Sequence, residues 1–310
     1  MEKELISILK SCGAVHVGFL NREQAQFGEW IKPWIKKGYH GDMEWMTRNS
    51  QIRSDPCSIE SEGKSIISLA FPYLTRTPDR WEDQRLISNY AWGEDYHQVL
   101  RKRLKGAIQK ISAVIPEFKG RLFVDSAPLP EKLIAASCGV GWIGKNSILV
   151  SPKWGSFIFL AEIVCNLDLK STPAISDGCG ECELCVQACP NQAILANRSI
   201  NARNCISYLT IEKNKGLSAR ESKRIEYHLF GCDCCQLACP WNKDLKFMED
   251  SPFSCDSKWL DVDLHELAEL SQTRFDELKI KSPLKRLKLE GIRRNSRAIL
   301  KNRQLPDNLD

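Results

Sequence analysis

The sequence predicts an α+β protein in three parts: an amino-terminal α/β layer, a cysteine-rich unit and a short basic helical segment. Three observations carry this. Over residues 1–165, strand-like runs alternate with amphipathic helical ones. Nine of the 14 cysteines fall between Cys179 and Cys239. From Ser271 to Arg303, 11 Lys or Arg stand against three Asp or Glu on a helical pattern. The expected divisions are residues 1–170, 171–250 and 251–310. A chain of 310 residues has room for this.

In chain order, residues 2–12 form an amphipathic helix stopped by Gly13, and "AVHVGFL" (14–20) alternates as a strand. Residues 29–46 read as helix interrupted by Pro33 and Gly38. "SIISLAFPY" (65–73) is a strand of the buried type. Between Asp95 and Ile115, the residues Leu100, Leu104, Ala107, Ile108, Ile111 and Ile115 share one helical face, and Pro116 stops the run. "RLFVDSAP" (121–128) is a short strand ending in a turn, and "PEKLIAASCGVG" (130–141) is a helix closed by glycine. "SILVSP" (147–152) and "SFIFLAEIVC" (156–165) are expected to form a hairpin around Trp154 and Gly155. A polar linker, "STPAISDG" (171–178), leads into the cysteines, and the chain beyond about residue 245 is helical.

No apolar run approaches the ~18 residues of a membrane helix, and the start "MEKELISILKSCG" is not a signal peptide. A cytoplasmic protein without membrane contact is expected. In that compartment 14 cysteines argue for metal or redox chemistry rather than disulfides. The scattered Cys12, Cys57, Cys138, Cys165 and Cys255 read as small buried hydrophobes. The net charge of +5 is uneven, with basic runs at 211–224 and 271–303. Such runs are either solvated faces or the footprint of a polyanionic partner.

Residues 179–190, "CGECELCVQACP", match the bacterial pattern C-x2-C-x2-C-x3-C-P at every position. In that pattern three thiolates hold one [4Fe–4S] cube and the fourth serves the other. A second copy is stretched: Cys205, 26 residues, then Cys232-x2-Cys235-x3-Cys239-Pro240. Cluster one is therefore expected on Cys179, Cys182, Cys185 and Cys239, and cluster two on Cys189, Cys205, Cys232 and Cys235. Cys234 is left over and should point elsewhere. Structural zinc is the rival reading of paired C-x2-C motifs. The repeated x3-C-P element and the lack of nearby histidine pairs favour iron–sulfur, giving a ferredoxin-like unit. Such clusters pass single electrons and do little bond chemistry alone, so the first domain should hold a second cofactor or an acceptor. No G-x-G-x-x-G follows a strand, and there is no P-loop. A D-x-H-x-x-G motif is absent too.

Several stretches together resemble one family: "NSQIRSDP", "SNYAWGEDYHQVLR", "FVDSAP", "GVGWIGKNSILVSPKWGSFIFLAEI", "CGECELCVQACP", "NARNCISYLTIE" and "GCDCCQLACPWNK". Over roughly residues 1–300 the chain is similar to the epoxyqueuosine reductases. These enzymes depend on cobalamin and iron–sulfur clusters and complete queuosine in tRNA. The resemblance implies a nitroreductase-like first domain that binds cobalamin, a ferredoxin-like domain that feeds the cobalt, and a tRNA anticodon-loop nucleoside as substrate. It implies Asp125 of "VDSAP" as proton donor and cobalamin contact. A strand-end carboxyl in an apolar surround, with a raised pKa, suits an acid.

The resemblance further implies cobalamin contacts from Arg53, Ser88, Leu149, Ser151, Leu160, Ile206, Asp233 and Cys234. For Leu149, Leu160 and Ile206 plain core packing is the alternative. Longer relatives continue into HEAT-like repeats, most of which this short form is expected to lack. Its basic segments, with Lys213, Lys215, Arg293 and Arg294, should then grip the tRNA phosphates. An unidentified external electron donor and a monomeric state complete the expectation. A reductive dehalogenase, a plain electron carrier and a corrinoid trafficking protein are the rivals. The basic runs, the 165 leading residues and the two clusters, respectively, argue against them.

Overall fold

The computed structural model describes residues 1–76, 86–249, 251–255 and 263–304, so the expected segment 251–310 is only partly described. Six strands occur among these residues: β1 (His16–Asn21), β2 (Ser65–Pro72), β3 (Gly120–Phe123), β4 (Trp142–Ile143), β5 (Leu149–Val150) and β6 (Ile158–Cys165). Four form an antiparallel sheet in the order β1-β2-β6-β3. β2 is buried along its whole length because both faces are covered. Ile67, Leu69 and Phe71 face α1 (Glu2–Ser11) and α4 (Tyr96–Val114), packing with Leu5, Leu9, Leu100, Leu104 and Ile111. Ile66 and Ala70 alternate to the other side, where Ile134 and Ala135 of α5 (Glu131–Ser137) lie. Each such aliphatic side chain contributes about 1.5–3 kcal/mol when fully buried. The single-turn helices α2 (Lys32–Lys36) and α3 (Ser50–Ser54) connect β1 to β2. Gly18 of β1 is required by close approach, since a Cβ there would lie 2.1 Å from the Cys138 carbonyl oxygen.

The expected hairpin of 147–152 with 156–165 does not form. β5 pairs with β4 as a separate ribbon, and β6 is paired by β2 along its length and by β3 over residues 162–165. Only Ser151 and Gly155 bridge, through reciprocal bonds of 2.8 and 2.9 Å. Alternation marked the strands but carried no information on partners.

The cysteine-rich unit contains α6 (Leu184–Gln187), α7 (Ala219–Arg224) and α8 (Cys234–Leu237). Its linker is no free tether. Phe19 and Thr172 exchange two hydrogen bonds, and Asn21 N donates to Ser171 Oγ at 2.9 Å, which straps the segment along the open edge of β1. Asn242 locks the unit to the sheet by accepting from Ser156 N at 2.7 Å and donating to Ser156 Oγ at 2.9 Å. The carboxy-terminal helices, including Lys288–Gln304, build a third core with Ile87, Trp92, Leu209, Ile225 and Phe230. That core draws on all three expected parts of the chain.

Candidate active site

α4 begins where the sheet ends, and its first turn faces a cavity of about 850 Å³. Asp95 caps the helix by accepting from His97 N at 3.1 Å. Tyr96 stacks on Phe159 of β6, with centroids 4.2 Å apart and planes 7° apart, and this fixes its hydroxyl. That hydroxyl donates to Asp125 Oδ2 at 2.7 Å. Asp125 follows β3 in the left-handed region, φ 44°, and its side chain is 59% exposed to the cavity. His97 stands between two carboxylates, Nδ1 at 2.7 Å from Asp95 Oδ1 and Nε2 at 3.6 Å from Asp125 Oδ2. Lys285 also ion-pairs with Asp95.

The electrostatics follow from this row. Burial opposes charge on His97, but the Asp125 carboxylate facing it and its hydrogen bond to Asp95 push the ring up to about 9. Burial likewise opposes ionisation of Asp95, and the bonds from His97 and Lys285 still hold it down to about 2. Asp125 differs from expectation. Desolvation raises its proton affinity, yet the bonds from His97 and Tyr96 win and lower it. The strand-end context did not reveal this partner on another element. Asp125 and His97 thus form a charged pair at neutral pH.

The thiols gather in two groups. Cys185 and Cys239 each lie beside Cys179 and Cys182. Cys189, Cys205, Cys232 and Cys235 line a second cavity of about 170 Å³. Trp142 Nε1 donates to Cys179 Sγ at 3.3 Å, and Ala193 N to Cys189 Sγ at 3.2 Å. Two four-thiol sets with N–H···S bonds suit [4Fe–4S] cubes, whose potentials such bonds tune. All 14 cysteines are free of disulfides.

Comparison with known proteins decides the family. A family model described as "Epoxyqueuosine reductase QueG, DUF1730" matches residues 53–126, and one described as "4Fe-4S double cluster binding domain" matches 178–242. The curated epoxyqueuosine reductase of Cyclobacterium marinum is 38% identical over 286 residues, 92% of this chain and 90% of that protein. The chain belongs to the epoxyqueuosine reductase family. It is an oxidoreductase with a double iron–sulfur domain. An epoxyqueuosine reductase solved with an epoxyqueuosine-modified tRNA-Tyr stem loop superposes with a TM-score of 0.88 at 28% identity, over 97% of this chain and 81% of that one. The Bacillus subtilis epoxyqueuosine reductase, solved with its aspartate catalytic loop swung out of the active site, gives 0.87 at 27% identity, again over 97% and 81%.

Within this epoxyqueuosine reductase the expected residues fall in several places. Arg53 and Asp125 line the large cavity. Ile206 and Cys234 line the small one. Ser88 and Asp233 are bonded to each other at 2.6 Å, and Asp233 also accepts from Asn89 N at 2.7 Å. Leu149 and Ser151 are buried, and Leu160 is half-buried against the α5-side core. Cys234 Sγ is 3.8 Å from His228 Nε2. Bonds from Cys232 and then His228 draw its thiol down to about 5. Of the basic candidates, Lys215 is exposed. Lys213 pairs with Glu221 at 3.1 Å. Arg293 Nε donates to the Leu270 carbonyl at 2.9 Å. Arg294 donates to the carbonyls of Leu209, Thr210, Lys213 and Lys215.

Sequence reasoning passed over Tyr96 and His97 as helix-start residues. Their signal was two polar aromatics in a first turn, Tyr96 continuing the apolar stripe four residues before Leu100 and His97 next to it. Lys285 and Arg286, also on the cavity wall, were visible only as charge.

Proposed function

We propose that this chain reduces epoxyqueuosine to queuosine in the anticodon loop of a tRNA, as the last step of queuosine formation. Cobalamin is seated beside Asp125, electrons come from an external donor through two [4Fe–4S] clusters, and Asp125 gives the proton. The observation that carries this is the Asp95–His97–Asp125 row, with Tyr96, on the wall of a large cavity, in a chain that also gathers eight thiols in two sets. Cys179, Cys182, Cys185 and Cys239 hold one cluster, and Cys189, Cys205, Cys232 and Cys235 the other.

Arg53 supports the corrinoid. The residue is 5% exposed, its Nε has no hydrogen-bond partner among the described residues, and desolvation lowers its pKa. A carboxamide or phosphate oxygen would satisfy it. Ser88, Leu149, Ser151, Leu160, Ile206, Asp233 and Cys234 complete the surround. Bound cobalamin supplies a strongly reducing, nucleophilic metal centre to open the epoxide. The protein's share is the first proton, and solvent water supplies the second. Converting the epoxide to alkene and water consumes two electrons and two protons. Seating the nucleoside displaces water around Asp125 and raises its proton affinity, so the proton held by the His97–Asp125 pair passes through Asp125 to the epoxide oxygen. Residues 1–170 carry Asp125 and most of this site, with Glu212, Phe230, Lys285 and Arg286 closing its wall, while 171–250 carry the clusters and 251–310 part of the RNA grip, in a cytoplasmic monomer.

The test incubates the anaerobically loaded protein with a low-potential reductant and an epoxyqueuosine-modified tRNA stem loop. The expected result is a nucleoside lighter by one oxygen atom. An unchanged nucleoside, in protein that carries about eight irons and a corrinoid, contradicts the assignment.

A further inference from the structure

Beneath Asp125 lies a second layer of carboxyls that the chemistry above does not use. Glu131, the first residue of α5, accepts the backbone N–H of Asp125 through Oε1 at 2.8 Å. Glu162 of β6 is fully buried. Its Oε1 accepts from Ser68 Oγ at 3.3 Å, and its Oε2 has no donor among the described residues. The two glutamates lie within electrostatic reach of each other, and two neighbouring buried carboxyls favour keeping one proton.

The surroundings keep that proton in place. Desolvation, then repulsion from Asp125, pushes Glu131 up to about 8, and desolvation also raises Glu162. The facing charges are Asp125, which repels, and His97, which attracts. Cys138 beside Glu162 is a neutral thiol, pushed up by burial. Lys132 turns its Nζ to the Ser147 carbonyl at 2.6 Å. Asp125 meanwhile holds a left-handed φ of 44°, a conformation that a non-glycine residue keeps only when its surroundings fix it. Its single backbone donor is spent on Glu131. Between them runs the proline-bearing turn 126–130, "SAPLP".

We propose that Glu131 is a positioning residue, whose carboxyl, by accepting the Asp125 N–H above the buried Glu162, holds the Asp125 turn in the conformation that presents the acid to the cavity. A turn that must be held is also a turn that can be released, and the Bacillus subtilis relative has been solved with its aspartate catalytic loop swung out. The role rests on Asp125 being the proton donor, but one arm of its test needs no turnover.

That arm is hydrogen exchange of the amides of residues 124–127 in the full chain. Glu131→Ala should lose protection there by about tenfold or more, and Glu131→Gln, which keeps an acceptor for the Asp125 N–H and can donate to Glu162, should restore it. In the loaded enzyme Glu131→Ala should lower kcat about tenfold or more with KM for the stem loop within about twofold, and Glu131→Gln should recover most of the rate. Glu162→Gln, a permanent donor to Glu131, should keep the protection. Unchanged protection in Glu131→Ala, or Glu131→Gln as defective as Glu131→Ala, overturns the role. Loss of exchange protection with no activity in any form, wild type included, leaves the clamp standing and instead contradicts the reaction.

Discussion

Asp125 and His97 share their charge, and the pH dependence follows. The folded pKa of His97 is raised to about 9. The stability its ion pairs with Asp95 and Asp125 contribute is therefore fully present below about 6.5 and is lost as pH rises through about 9, where the pairs themselves break. Turnover should fall along that limb, and His97→Ala should lose the inflection while starting from a lower rate. A wild-type profile flat from neutral pH to 10 contradicts the pairing. Asp125, now on the cavity wall, was singled out mainly through the "VDSAP" resemblance, and the direction of its shift was not legible at all. Its partner comes from the start of α4, and no local pattern around a strand end reports a tertiary contact. Cys234 was set apart by spacing alone, because it breaks the x2 interval, yet it lines the same cavity as Cys232 and Cys235. Cys234→Ser should keep about eight irons per chain and Cys232→Ser should lose about half of them. Equal iron loss in both variants would mean Cys234 is a ligand.

At the scale of elements, the closing helix Lys288–Gln304 shows what charge counting misses. Its basic residues read as a phosphate grip, yet Arg294 and Asn295 are turned inward. Asn295 is fully buried and donates to the carbonyls of Thr210 at 2.9 Å and Leu229 at 2.8 Å. Arg294 satisfies carbonyls of the π-helical turn Tyr208–Glu212 and of the residues after it. That turn follows Cys205 and Ile206, so the helix braces the wall of the smaller cavity. Arg294→Ala should cost about 1.5–3 kcal/mol of stability, seen as a lower Tm, and leave the salt dependence of stem-loop binding unchanged. Lys215→Ala should do the reverse, reducing the slope of log K against log salt by about one. The strands and the α4 stripe were readable because one period repeats over many residues. The pairing of β5 with β4 was not, since it depends on which edge is free.

At the scale of the whole molecule, three expected parts share one interior. Residues 86–92, the insert between Cys205 and Cys232, and the carboxy-terminal helices meet in the third core. The two iron–sulfur motifs were readable because metal ligation fixes cysteine spacing in the chain. The cavity was not, because it is assembled from segments as distant as Trp45, Tyr96, Asp125 and Arg286. Its consequence is that Asp125, His97 and Arg53 from the leading half of the chain share one cavity wall with Lys285 and Arg286 from its end. The most direct test is a single-turnover reaction of Asp125→Asn with the epoxyqueuosine stem loop, at iron and corrinoid content equal to wild type. The account predicts a rate about 10²–10⁴-fold lower with stem-loop affinity unchanged. A rate equal to wild type contradicts it.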